Sequence, residues 1–262
     1  MNFPFHLGAT SYIISADILP NVHYLADKVD DVELVLFEVD DGQNNLPTGE
    51  TIAELKSVAA SHGLTFTVHL PLDLRLGNDE DESHASLIKA RKVIDCTRDL
   101  NPFAYVLHLD GKEIKNGGTP TQVEQWRDSS VRALEIIGKY VGGAEKLAVE
   151  NLERYPLDLI SPVFNRVAVS RCVDVGHLWL DGHDPLPYLR QALPRTKVIH
   201  IHGIAERDHK SLAHVPPEKL NPVIDLLYQE NFSGVMTIEV FGEEDFKSSM
   251  QTLQTYSVLR NP

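Results

Sequence analysis

Leu147-Ala148-Val149-Glu150 is a short apolar run that ends on a carboxylate, and five other runs along the chain end similarly, on a histidine or a carboxylate. The others are Phe66-Thr67-Val68-His69, Tyr105-Val106-Leu107-His108, Arg171-Cys172-Val173-Asp174, Lys197-Val198-Ile199-His200 and Met236-Thr237-Ile238-Glu239. Successive runs end 24 to 42 residues apart, which suits one strand followed by one helix. The chain therefore reads as repeated strand–helix units that carry polar groups at the strand ends.

The residue two positions before each polar end shares its face of the strand. These residues are small or medium sized, as the interior of a closed barrel requires: Thr67, Val106, Ala148, Cys172, Val198 and Thr237. A chain of 262 residues also fits one (β/α)8 barrel, which needs ~250 residues. We predict an α/β fold, a single TIM barrel that occupies residues 1–262 as one domain. An open doubly wound sheet is disfavoured because no Gly-x-Gly-x-x-Gly turn follows the first predicted strand.

The same pattern predicts the bounds of individual elements. The second strand is expected over residues 32–39, and the last strand is expected to end near Phe241. A short helix bounded by prolines is expected over residues 156–162.

Composition narrows the function. The chain has 38 acidic and 24 basic residues, a net charge of −14, and no basic run, so nucleic acid is a poor candidate substrate. No segment approaches the ~18 apolar residues of a membrane span. The first residues lack the basic and apolar regions of a signal peptide, and two cysteines do not indicate a disulfide framework, so we expect a cytoplasmic location.

Four of the strand ends predict a metal site: Glu150, Asp174, His200 and Glu239. Four polar groups at the mouth of one barrel would be costly to bury without a cation. Carboxylates with an imidazole suit Zn, Mn, Fe or Co, and we expect Zn or Mn.

Further potential ligands exceed what one ion can use. They are His69, His108, His177, His202, Asp208 and His209. This surplus predicts two or three ions, with some of these positions serving as supporting groups or substrate contacts.

The pattern resembles the xylose-isomerase-like barrels, also called the AP endonuclease family 2 fold. Its most specific part is Cys172-Val173-Asp174-Val175-Gly176-His177-Leu178, set between Glu150-Asn151-Leu152 and His200-Ile201-His202-Gly203. The resemblance implies two kinds of site. Sugar isomerases and epimerases of this group hold one metal at the positions of Glu150, Asp174, His200 and Glu239. The phosphodiester-cleaving endonucleases hold three zinc ions and add histidines at the positions of His69, His108 and His177.

Those endonucleases also use an Asp and a His from the loop after the seventh strand, with one residue between them. Here Asp208 and His209 are adjacent, and Lys210 occupies the spaced position. We therefore expect one of the pair to miss its ion, and Lys210 to meet a substrate phosphate as a point charge.

Three segments look like the bacterial cobamide-remodelling phosphodiesterases: residues 19–22, 32–38 and 206–212. The first hypothesis is therefore hydrolysis of a small-molecule phosphodiester, and the resemblance implies the nucleotide loop of a cobamide as the substrate. Glu150, Glu239 and His108 are its candidate catalytic residues, and Arg75, His202 and Lys210 are its candidate substrate contacts. The alternative is a one-metal isomerase or epimerase of a sugar or sugar phosphate, and a DNA endonuclease comes third. The oligomeric state stays open.

Overall fold

The computed structural model describes residues 3–38 and 44–260, with no side-chain description at 259 and 260. Within these residues, eight strands form one closed barrel in chain order. They are β1 (His6–Thr10), β2 (Asp31–Val35), β3 (Thr65–His69), β4 (Tyr105–His108), β5 (Leu147–Glu150), β6 (Ser170–Asp174), β7 (Thr196–Ile201) and β8 (Val235–Ile238). Every neighbouring pair is parallel, and β1 pairs with β8 to close the barrel. All carboxyl ends therefore meet at one rim, which confirms the predicted (β/α)8 fold.

Helices connect the strands and cover the outside of the barrel. They are α1 (Ile18–Leu25), α2 (Gly49–His62), α3 (Glu80–Thr97), α4 (Pro120–Val141), α5 (Ser161–Phe164), α6 (Val175–Leu180), α7 (Pro185–Ala192), α8 (Pro217–Gln229) and α9 (Glu243–Arg260). The longest, α4, begins with a capping box between Thr119 and Gln122 and ends at Gly142, whose φ of 85° suits a glycine. Among the described residues, no helix has both the length and the apolar character needed to cross a membrane.

The barrel interior contains the small residues that the alternation predicts. Val106, Ala148, Cys172 and Val198 pack with Ala104 in one fully buried cluster. Because these side chains are short, the residues two positions further along each strand can converge above them.

Three predicted bounds differ from the structure. The second strand ends at Val35, and residue 39 of its predicted range lies outside the described residues. The predicted helix over residues 156–162 is wrong, and the structure has α5 in its place. Pro162 lies in the first turn of α5, where proline is tolerated, and does not end a helix. The last strand ends at Ile238, but the amide of Glu239 still donates to the carbonyl of Ile201, at 3.1 Å.

Candidate metal centre

Four side chains meet at the middle of the rim, and we call them the central set. Glu150 ends β5, Asp174 ends β6, His200 lies in β7 and Glu239 follows β8. One ligand atom of each lies within 4.8 Å of the others, and all four residues are buried. This donor set of three carboxylates and one imidazole suits a divalent cation such as Zn²⁺ or Mn²⁺.

The second group of ligands, the His108 set, contains His69, His108 and Glu150. The Nε2 atoms of His69 and His108 lie 3.3 Å and 3.2 Å from Oε2 of Glu150. Parallel pairing places His108 directly opposite Glu150 in the sheet. Adjacent strand ends thus assemble this set, and Glu150 belongs to it as well as to the central set.

The third group, the His209 set, contains Asp174, His177, His202 and His209. Asp174 caps α6 through a 2.6 Å bond that it accepts from the amide of His177, so the first turn of this helix brings that imidazole back to the carboxylate. The rings of His202 and His209 stack with their centroids 4.3 Å apart. Asp174 is therefore shared with the central set, and the three sets adjoin one another.

Two local features of the backbone make the His209 set possible. A Cβ at Gly176 would lie 2.2 Å from Nε2 of His202, so only glycine lets α6 pass this ring. Gly203 and Lys210 exchange backbone hydrogen bonds of 2.6 Å and 3.0 Å, which close the loop after β7. This closure folds His209 back over the end of the strand.

Buried polar atoms without partners test whether a cation fits. Among the described residues, the buried atoms that lack a hydrogen-bond partner include Asp174 Oδ2, His200 Nδ1, His202 Nε2 and Glu239 Oε2. Each belongs to the central set or the His209 set. Buried polar atoms are normally satisfied, so these residues fit a group that accepts their lone pairs, as a divalent cation does.

The comparisons with known proteins agree with this arrangement. A family model described as xylose isomerase-like TIM barrel matches residues 26–256. The chain belongs to this family. The family assignment confirms the resemblance in the sequence, and the narrower likeness to cobamide-remodelling enzymes is not shown.

Solved structures of similar fold include several sugar epimerases. A D-tagatose 3-epimerase-like protein is 18% identical, with 98% of each chain covered and a TM-score of 0.78. The 3-keto-D-glucoside 4-epimerase of E. coli is 14% identical, with 97% of this chain and 99% of that chain covered and a TM-score of 0.70. The D-psicose 3-epimerase of Clostridium cellulolyticum H10, solved with D-tagatose, is 15% identical, with the same coverages and a TM-score of 0.70. At these identities the likeness shows the fold alone. A search of curated proteins gave no match.

The carboxylates of this xylose isomerase-like barrel are held in their charged form. Burial raises the pKa of Glu150, but the nearby imidazoles of His200 and His108 outweigh it and hold that pKa well below its usual range. Burial also raises the pKa of Glu239, but His200 and His209 hold it well below its usual range. Both side chains are therefore ionised at neutral pH and able to bind cations.

In the His209 set, the pKa values of two histidines are shifted upward, opposite to those of the carboxylates. Burial lowers the pKa of His177, but the charges of Asp174 and Glu150 outweigh it and raise the pKa to about 9. Burial lowers the pKa of His209 too, but the hydrogen bond and charge of Glu239 raise it to about 9. Because a cation binds the unprotonated imidazole, loading this set displaces protons.

The loop after β7 carries Asp208 and His209, which the sequence predicted as ligands, and only one of them joins a ligand set. His209 joins the His209 set, whereas Asp208 belongs to none of the three sets. Oδ1 of Asp208 instead lies 3.2 Å from Nδ1 of His209, behind the ring. Asp208 thus lies outside the three sets, and its predicted role as a ligand stays a prediction. His202, which the sequence suggested as a substrate contact, lies among the ligands.

Lys210 and Arg75, the two basic side chains predicted to contact the substrate, each contact a carboxylate. Lys210 Nζ lies 3.2 Å from Asp245 of α9. The Arg75 guanidinium donates to Asp110, which also accepts from the Tyr155 hydroxyl. Neither of these two side chains belongs to a ligand set, and their contact with the substrate stays a prediction.

Sequence reasoning missed Glu33, a fully buried carboxylate of β2 that contacts His200. The signal was present, because Glu33 interrupts the apolar run Val32-Glu33-Leu34-Val35, and a charge in such a run needs a buried partner. Cys172 was expected only as interior filling, yet its sulfur lies within 4.8 Å of ligand atoms of Glu150 and His200.

Proposed function

We propose that the protein is a metal-dependent hydrolase that cleaves a phosphodiester in a small molecule. The observation that carries this proposal is the presence of three adjoining ligand sets joined through Glu150 and Asp174. Phosphoryl transfer commonly uses clustered cations that hold the attacking and leaving oxygens together. A reaction that needs one cation would use only the central set as ligands and would need other roles for the residues of the other two sets.

Bound cations would neutralise the phosphate charge and would lower the pKa of a bound water. The chain's own residues determine where that happens. Glu150 and Asp174 each belong to two ligand sets, so these two side chains determine how far apart the sets lie. Glu239 is ionised, which lets it hold a cation or orient a water that donates a hydrogen bond to it. The His108 side chain, at 16% exposure, is the most open member of its set, and we expect it to contact the substrate.

A cobamide is the first substrate to test, on the strength of the resemblance in residues 19–22, 32–38 and 206–212. A net charge of −14 also supports a small molecule over nucleic acid, because duplex binding depends on basic surfaces. Arg75 and Lys210 would have to exchange Asp110 and Asp245 for the phosphate as it binds.

The second candidate is a single-metal isomerase or epimerase of a sugar or sugar phosphate. The structural neighbours described above favour it, since they are named as sugar epimerases or an epimerase-like protein. The central set is complete without the others and would hold one ion. Glu150 and Glu239 would then act as an acid/base pair across the sugar, with His69, His108 and His177 binding its hydroxyls.

Cation counting and substrate assays separate these candidates. Protein purified without added metal is analysed for elements per chain, then assayed on adenosylcobalamin, bis-p-nitrophenyl phosphate, D-tagatose, D-psicose and an abasic duplex. Two or three cations with diester cleavage support the hydrolase, whereas one cation with sugar epimerisation replaces it with the second candidate. Preference for the abasic duplex at moderate salt would favour a DNA endonuclease. If the metal-loaded protein leaves every diester intact, the hydrolase proposal is wrong.

We also propose that residues 1–262 act as one domain in the cytoplasm. Both cysteines, Cys96 and Cys172, are free thiols, which suits a reducing compartment. Cell fractionation with an antibody to the protein tests the location.

A further inference from the structure

Glu33 lies inside the barrel on β2, a strand that contributes no residue to the three ligand sets. Its Oε2 atom is 2.9 Å from Nε2 of His200, and both side chains have 0% exposure. The two residues are 167 positions apart, so the closed barrel alone brings them together. A buried ionic contact of this kind fixes the orientation of the imidazole ring.

This contact determines which nitrogen of His200 faces the centre. The short contact sets the ring nitrogen Nε2 against a carboxylate oxygen, so the Nε2–H group donates a hydrogen bond to Glu33. The other nitrogen, Nδ1, lies 3.2 Å from Oε2 of Glu239 and 3.5 Å from Oε2 of Glu150, without a hydrogen bond of its own. Nδ1 is therefore the nitrogen that is directed toward the other members of the central set.

Other histidines of the centre are held differently. Nδ1 of His69, His177 and His202 lies 2.7 Å, 3.0 Å and 3.1 Å from a backbone carbonyl oxygen. His69 and His202 present Nε2, which lies 3.3 Å from Oε2 of Glu150 and 3.5 Å from Oδ1 of Asp174 respectively. Nδ1 of His177 lies 3.4 Å from Oδ2 of Asp174 as well as near the carbonyl. His200 is anchored through Nε2 by a carboxylate and presents Nδ1, so its orientation depends on one side chain rather than on the backbone.

We propose that Glu33 is a positioning residue that holds the Nε2–H of His200 and thereby presents Nδ1 to the cation of the central set. A carboxylate behind a ligating histidine fixes its tautomer and makes the ring a stronger donor. The inference rests on the cation site used by the proposed function and not on the reaction catalysed.

The test compares cation affinity in two variants. Glu33→Gln keeps the size and an acceptor oxygen but removes the charge. Glu54→Gln is the matched control, because Glu54 also contacts a histidine, His23, at 3.4 Å, but on the surface. Zn²⁺ is titrated against a chromophoric chelator, and nitrogen-15 NMR of labelled histidine reports which nitrogen of His200 keeps its proton in the Zn²⁺-loaded protein. We expect Glu33→Gln to weaken one binding step by about 10- to 100-fold and to reduce the Nε2–H tautomer. Glu54→Gln should match the wild type.

Each outcome decides the proposal. Unchanged affinity and tautomer in Glu33→Gln would show that Glu33 only fills the interior. A lower melting temperature of the cation-free protein with unchanged affinity would show the same. If Glu33→Gln does not fold, Glu33→Asp keeps the charge but withdraws the acceptor, and the same loss in one binding step is expected. Wild-type affinity in Glu33→Asp would overturn the proposal. A wild type that binds no divalent cation refutes the proposed function as well, whereas loss of the Glu33 effect alone leaves that function standing.

Discussion

The two ends of the barrel bury carboxylates in opposite ways. Asp31 begins β2 at the amino end with 0% exposure, and Glu150 ends β5 at the carboxyl end with 2% exposure. Asp31 accepts a 2.6 Å hydrogen bond from the Thr65 hydroxyl, and burial outweighs this bond and raises its pKa to about 7. Glu150 has imidazoles around it and remains ionised.

The difference shows that burial alone does not make a functional carboxylate. A carboxyl in a dry interior is costly to ionise unless positive or donating groups surround it. The carboxyl rim supplies those groups from several strands at once. The amino end supplies Asp31 with the hydroxyls of Thr65 and Thr67 and a backbone amide but with no imidazole, so we read Asp31 as structural and Glu150 as functional.

The largest expected effect comes from Glu150→Gln. Glu150 belongs to both the central set and the His108 set, so the variant should lose cations from both and lose activity by orders of magnitude. Elemental analysis per chain and turnover of the confirmed substrate measure this. Retention of the full cation content would contradict the role of Glu150 as a shared ligand.

His108→Ala should also lower activity by orders of magnitude, but with fewer cations lost, because His108 belongs to one set only. The fold should be largely unaffected, since the ring is partly exposed. His84→Ala, at an exposed histidine of α3, is the control and should behave as the wild type. Wild-type turnover in His108→Ala would remove it from the site.

Asp31→Asn tests the amino end through the pH dependence of stability. A carboxyl whose pKa is near 3.9 in the unfolded chain and about 7 in the fold destabilises the fold increasingly as pH rises between these values. The stability gained by the variant should therefore be absent near pH 4 and largest above pH 7. The limit is about 4 kcal/mol, since each pKa unit is worth about 1.4 kcal/mol. Urea unfolding of both proteins from pH 4 to pH 8 measures it, and a difference independent of pH would contradict the assignment.

The smallest effect is expected from Asp208→Asn. Asp208 supports His209 without belonging to a ligand set, so the variant should weaken one binding step by about tenfold while the number of cations stays the same. Titration with Zn²⁺ measures this. Loss of a whole cation would instead show that Asp208 is a ligand, as the family resemblance implies for an aspartate of this loop.

Much of the fold and of the ligand inventory could be predicted from the sequence because both depend on local patterns. Period-two alternation located the strands, and β3, β4, β5 and β6 end at the predicted His69, His108, Glu150 and Asp174. The short helix after β5 was misplaced because a proline can either end a helix or begin one, and the sequence pattern does not distinguish these.

Details of the site were less predictable because they depend on loop closure and on contacts between distant strands. The pairing of Gly203 with Lys210, which turns His209 inward and leaves Asp208 behind it, has no signature in residue type or spacing. Glu33 was overlooked for a related reason, since its partner lies on a strand far along the chain.

The sequence by itself determined that six of the strand–helix units carry carboxylates and histidines to one rim, because strand alternation and chain length leave few other arrangements for so many polar ends. Only the tertiary structure decided how those groups divide into three sets, which of them are shared and which nitrogen of each histidine faces inward. The physical reason is that ligation depends on distances of a few ångströms between side chains from different strands, and those distances exist only once the barrel has closed.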